Sequence, residues 1–214
     1  MAQLCYNELM ATMQKTKEKP LKTYQKIGIG FLVFVIAGVV GWIWEFVLAI
    51  IEEGHIYMKG GNLLPWINIY AFGALLIIPA TYKLKKYPWA VFLISFLITG
   101  LLEGIAGWLV YLIGNGTRYW NYNEGIWTIG SINGFVCLAS ATAFGLSALL
   151  LMYVVFPFCI HLATHMSKRS FIILATTLFA IIMLDEIANL TLKNLNQPTA
   201  MDLYKSLGLE YQSH

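Results

Sequence analysis

Residues 27–51 read IGIGFLVFVIAGVVGWIWEFVLAII, a run whose single charge is Glu45. A helix of roughly 20 apolar residues spans the hydrocarbon layer of a bilayer, and this run exceeds that. No water in lipid satisfies an open backbone, so such a run must be helical. Four more apolar stretches follow at 64–82, 89–113, 131–156 and 171–192. The expected fold is all-α: a polytopic membrane bundle of five transmembrane helices. Residues 1–26 would form an amino-terminal segment, 27–192 the membrane domain and 193–214 a tail.

Composition agrees. The chain of 214 residues is 58% hydrophobic and 12% charged, against about 25% charged in a soluble domain. Mean hydropathy is +0.67. A net charge of +3, with lysines close to the crossing segments, argues against nucleic acid as a partner. Cys5, Cys137 and Cys159 lack CxxC spacing and read as small residues rather than a disulfide framework. No P-loop, nucleophile elbow or HExxH occurs, so ATP-driven work would need a separate ATPase subunit. No cofactor signature is present. The first apolar run is too long for the core of a signal peptide and reads as an uncleaved anchor. Leu9, Met10 and Met13 share a face before Pro20, which fits either a short helix on the membrane surface or a frayed tail.

Lys and Arg set the orientation. Lys15, Lys17, Lys19, Lys22, Lys26, Lys83, Lys85, Lys86, Lys168 and Arg169 fall on one side, and Lys59, Arg118, Lys193 and Lys205 on the other. Cytoplasmic loops carry the excess of positive residues. The amino terminus is therefore expected inside and the carboxyl terminus outside.

Four acids interrupt the apolar runs: Glu45, Glu103, Asp185 and Glu186. An Asp near a helix centre costs roughly 2.5–3.5 kcal/mol on insertion scales. At 1.5 Å per residue, Glu45, Glu103 and Asp185 lie about 9, 3 and 5 Å outward of their span midpoints. Gly38, Gly41 and Glu45 share one helical stripe, and Gly100, Glu103, Gly104 and Gly107 another. Small residues at that spacing let helices approach closely. Asp185 aligns with Ala188 and Asn189, and a polar stripe of Asn133, Cys137, Ser140 and Ser147 is expected on the fourth helix. Asn68 and Tyr70 enter at the outer end of the second. A polar pocket opening outward and lined by all five helices is the simplest assembly. Protons, a metal ion, a cationic solute or Arg118 could neutralise its acids. Alternatively the acids bond helices together and nothing else.

Other signals are weaker. Residues 115–127 read NGTRYWNYNEGIW. That run suits an aromatic belt at the interface, or a lid over the outward pocket in which Arg118 or Glu124 touches a ligand. His161 and His165 have metal-ligand spacing on a helix, but no third ligand aligns with them. Asn115-Gly-Thr117 and Asn189-Leu-Thr191 match the glycosylation acceptor pattern. A faint repeat pairs Ile67-Asn68 and Ala71-Phe72-Gly73 with Ile132-Asn133 and Ala143-Phe144-Gly145.

The chain resembles the CmpB-type ABC-transporter permease family of small bacterial multi-pass membrane proteins. The resemblance covers about residues 38–190. It rests on Gly41-Trp42-Ile43-Trp44-Glu45, Leu64-Pro65-Trp66 and Ile69-Tyr70-Ala71-Phe72-Gly73-Ala74-Leu75-Leu76. It continues with Leu102-Glu103, Gly107, Tyr119-Trp120-Asn121-Tyr122, Asn133-Gly134-Phe135-Val136-Cys137-Leu138, Phe144-Gly145 and Leu184-Asp185. Departures from the family pattern fall at Asn68, Ala71, Tyr111, Asn121 and Phe135. The resemblance implies a bacterial cytoplasmic membrane location.

The leading expectation is a permease-like protein that takes a small polar or cationic solute or an ion. Its site would comprise Glu45, Glu103, Asp185, Glu186, Asn68, Tyr70, Asn133, Asn189, Arg118 and Trp120. The alternative is an accessory membrane subunit with structural acids. A lipid-modifying enzyme is a third reading, without a nucleophile or metal motif to carry it. A homo-oligomer is compatible with all three.

Overall fold

A computed structural model describes residues 20–54, 62–116, 118 and 120–209. The surface-helix reading of Leu9, Met10 and Met13, and the positions of Lys15, Lys17, Lys19 and Lys59, lie outside the described residues. Within them the fold is all-helical, with one isolated bridge between Ile132 and Val136.

Helix α1 (Thr23–Glu53) is 31 residues long. At 1.5 Å per residue this is about 46 Å. Its start is pinned by Gln25, which accepts the Lys22 backbone N–H at 2.9 Å and donates to the Ala163 carbonyl at 2.6 Å. It stops at Gly54, whose φ of 70° is the left-handed cap that glycine adopts without a Cβ penalty.

Helix α2 (Asn68–Thr81) is shorter than the expected 64–82 span. Pro65 precedes the helix instead of opening it, because residues 62–65 bend so that Trp66 can bury its ring against α1. The Trp66 indole donates to the Phe34 carbonyl at 3.4 Å, and the Ile67 N–H donates to the Gly38 carbonyl at 3.1 Å. Pro79 sits inside α2, and a turn of 3₁₀ helix (Tyr82–Leu84) ends it.

Helix α3 (Pro88–Ile113) opens on Pro88, the position where a missing N–H costs nothing. The fourth span differs from expectation at both ends. Its helix α4 begins at Leu138 (Leu138–Leu150), not at residue 131. Asn133 and Cys137 therefore leave the expected polar stripe. Asn133 (φ 52°) and Gly134 (φ 74°) form a tight turn, the Asn-Gly pair that favours positive φ at both positions. Cys137 caps α4, its sulfur accepting the Ser140 N–H at 3.2 Å. At the other end the helix does not stop before Pro157. A π turn (Leu151–Val155) leads straight into α5 (Phe156–His165). Proline removes an intrahelical donor, and the π turn takes up that mismatch.

Helix α6 (Lys168–Asn194) starts at the cap Ser167, and a short α7 (Ala200–Ser206) follows it. Four helical segments are long and apolar enough to cross a membrane: Thr23–Ile51, Pro88–Ile113, Leu138–His165 and Lys168–Asn194. Asn68–Leu84 is apolar but shorter.

The core lies where α1, α2, α5 and α6 meet, around Leu32, Val33, Ile77, Cys159 and Phe171. Phe34, Trp66, Ala71 and Ile182 form a second cluster along α1. Outward faces stay apolar: Leu101 and Leu184 are 65% and 66% exposed. Water would penalise such surface, at roughly 25 cal/mol per Å²; acyl chains do not.

Candidate functional site

The glycine stripes decide where two of the acids face. A Cβ on Gly38 would collide with the Trp66 indole, and one on Gly41 with the Tyr70 ring. Backbone contact this close turns that face of α1 against α2. Glu45, on the same stripe, then meets the Tyr70 hydroxyl, which donates to Oε1 at 2.5 Å. On α3, Gly107 faces Phe135 and Trp120, and Gly100 and Gly104 face Val136 and Ala141. Glu103 follows that face. It accepts the Tyr122 hydroxyl on Oε1 at 2.6 Å and the Ser140 hydroxyl on Oε2 at 2.7 Å.

Two carboxyls from separate helices thus each hold a tyrosine hydroxyl. Both acids are half-buried, and Ser140 is buried. Burial pushes the Tyr122 hydroxyl well above the ordinary phenol value, and the Glu103 charge and hydrogen bond add to the shift. Tyr122 therefore stays a donor at neutral pH. Glu45 thus accepts a hydroxyl from α2, and Glu103 accepts hydroxyls from α4 and from the α3–α4 connection.

The connection between α3 and α4 packs against the Glu103 face of α3. Tyr122 is placed by its own N–H, which donates to the Gly134 carbonyl at 3.0 Å. The Trp120 indole donates to the Phe135 carbonyl at 2.8 Å. Arg118 donates to the Asn133 carbonyl at 2.5 Å. Its guanidinium lies 5.2 Å from the Tyr111 ring centroid and 4.5 Å from that of Phe135. Arg118 and Asn121 also converge on Gly134, where a Cβ would meet Asn121 Oδ1 at 2.5 Å and Arg118 Nη1 at 2.7 Å. Tyr111, Asn121 and Phe135 therefore gather around one arginine.

Asp185 and Glu186 have other partners. Asp185 accepts the N–H groups of Leu63 (3.3 Å) and Leu64 (2.9 Å), and Glu186 accepts the Asn62 amide at 2.5 Å. Asn189 accepts the Ala200 N–H at 3.1 Å, and Tyr204 donates to the Leu63 carbonyl at 2.5 Å. These bonds fasten the residue 62–64 bend and α7 to the end of α6. The single group of acids expected from the sequence is thus split between two sets of partners. Asn68 is exposed at the start of α2, and Asn133 is exposed in its turn.

An open groove of about 470 Å³ is lined by Trp44, Ile129, Leu138, Ala143 and Leu146 among others, and none of the acids lines it. Among the described residues, no group of three or more His, Cys, Asp and Glu side chains could hold a metal ion. His161 and His165 stack with ring centroids 3.9 Å apart on α5.

Tyr122 and Ser140 were not among the candidate site residues. Tyr122 reads as one aromatic in an interfacial belt, and Ser140 as one member of the polar stripe on the fourth helix. Only the fold brings both to Glu103. No matching protein of curated function and no matching solved structure accompanies the chain. One family profile, described as ABC_trans_CmpB, Putative ABC-transporter type IV, matches residues 32–190. That match takes in α1 from Leu32 through most of α6, including both tyrosine-bound glutamates and the α3–α4 connection, and the chain belongs to this family.

Proposed function

We propose that the protein is a permease-class membrane protein that binds a small cation or polar solute at Glu45 and Glu103. Tyr70, Tyr122 and Ser140 position the two carboxyls, and their protonation regulates binding. The observation that carries this reading is that Glu45 and Glu103, on different membrane-spanning helices, each accept a tyrosine hydroxyl. Ionisable groups within membrane-spanning helices mark ion and substrate pathways by default. In this reading α2 is the fifth span, the Lys-rich end is cytoplasmic and the bilayer is a bacterial plasma membrane. A separate ATPase or other membrane subunit supplies energy. The family description is that of a transporter and names no enzyme activity.

The test is thermal unfolding of the detergent-purified chain with sodium, potassium, magnesium or tetramethylammonium chloride, beside the Glu45→Gln/Glu103→Gln variant. A bound ligand at 100 times its Kd adds about 2.7 kcal/mol of stability. At least one salt is expected to stabilise the parent and not the variant. Equal shifts in both would defeat the proposal.

A second reading, that of a non-transporting accessory subunit with structural acids, draws on Asp185 and Glu186. Their described bonds go to the chain's own loop, and none of the acids lines the 470 Å³ groove. Copurification of a stable partner, with no cation response, favours this reading.

A further inference from the structure

Every element that begins or ends at one end of the bundle brings cations with it. Lys22 and Lys26 flank the start of α1, Lys83, Lys85 and Lys86 lie between α2 and α3, and Lys168 and Arg169 open α6. All seven are exposed. Contacts between elements hold them at a common end. Gln25 at the start of α1 donates to Ala163 near the end of α5, and the Lys168 Nζ lies 5.4 Å from the Tyr24 ring centroid. Tyr153 donates to the Lys85 carbonyl at 2.8 Å, and the Tyr82 and Phe156 rings are 5.9 Å apart.

The described acids lie elsewhere: in the carboxyl-terminal halves of α1, α3 and α6, in the α3–α4 connection and in α7. Helices α1, α3 and α6 also start at the cationic end, with no acid in any first turn. Each helix start carries a partial positive charge of roughly half an electron. Helices α2 and α5 end there and bring the opposite partial charge, so three starts stand against two ends and the seven side chains carry the net positive charge.

The position of this charge selects its partner. Tyr87 (54% exposed) and Trp89 (68% exposed) stand at the start of α3, and the exposed apolar face of Leu93 and Leu97 follows directly. Exposed Trp and Tyr beside an apolar flank sit at headgroup depth. Long lysine stems lie along apolar surface while their ammonium groups reach the polar layer. The anions within reach at that depth are phospholipid headgroups, which attract juxtamembrane Lys and Arg. We propose that this end binds anionic phospholipid, with Lys22, Lys26, Lys168 and Arg169 at its centre.

The test uses the full chain in neutral detergent, titrated with phosphatidylglycerol, phosphatidylcholine or soluble glycerol 3-phosphate, with lipid adducts counted by native mass spectrometry. Phosphatidylglycerol is expected to bind in preference to the other two and to weaken as sodium chloride rises. The K22Q/K26Q/K168Q/R169Q variant should lose on the order of 100-fold or more in affinity. The K22R/K26R/K168R variant, which keeps every charge, should bind like the parent. Equal binding of phosphatidylcholine, tight binding of glycerol 3-phosphate alone, or unchanged affinity in a folded glutamine variant would each overturn the proposal.

Discussion

The Tyr122 hydroxyl lies 2.6 Å from Glu103 Oε1 and joins the α3–α4 connection to the acid of α3. Ser140, one turn into α4, holds the other oxygen of the same carboxyl at 2.7 Å. One side chain thus links two helices and the segment between them. Hydrogen bonds to a charged partner contribute about 1.5–3 kcal/mol. A double-mutant cycle of Tyr122→Phe and Glu103→Gln, followed by thermal unfolding in detergent, should give a coupling energy of that order. Additive effects would place the two groups out of contact.

The same tyrosine predicts a pH response. Its folded-state value is raised above the ordinary 10.0, so the folded chain keeps the proton that the unfolded chain releases. Stability from this group is complete below pH 10.0 and declines as pH rises beyond it. Spectroscopic titration of phenolate should therefore show the same number of tyrosines ionising near pH 10.0 in the parent and in Tyr122→Phe. One fewer in the variant would contradict the burial of this hydroxyl.

Gly38 and Gly73 should respond oppositely to alanine. A methyl on Gly38 collides with the Trp66 ring, whereas nothing lies within 4 Å of the Cβ position on Gly73. Overpacking costs about 1–3 kcal/mol. Gly-to-Ala in an open helical position gains up to about 1 kcal/mol. Melting temperatures of the two variants should fall and hold or rise, respectively. A tolerated Gly38→Ala would mean that α1 and α2 are less tightly apposed.

Asp185→Ala removes the acceptor for the Leu63 and Leu64 N–H groups. Leaving such donors without a partner costs about 1–3 kcal/mol each where they are buried. Amide exchange at Leu63 and Leu64 should speed up, while exchange around Tyr122 and Glu103 stays as in the parent. Faster exchange at both places would show that the two groups of acids act as one unit.

The sequence by itself determined that this chain is a helical membrane protein, because apolar runs such as 27–51 admit no other backbone in lipid. It also determined which faces of α1 and α3 pack, because glycines at Gly38, Gly41, Gly100, Gly104 and Gly107 leave room only for close neighbours. Glu45 and Glu103 were legible as candidates for that reason. The family could be read from motif order alone, and the profile match over 32–190 agrees with it. Helix ends were less legible. Asn133-Gly134 forms a turn where hydropathy continues a span, and Pro157 is passed through where proline suggests a stop. Only the tertiary structure decided the partners. Tyr122 is 19 residues from Glu103 and Ser140 is 37, while Leu64 is 121 residues from Asp185. Hydrogen bonds form wherever folding brings donor and acceptor together, and no local pattern of residues encodes such distances along the chain.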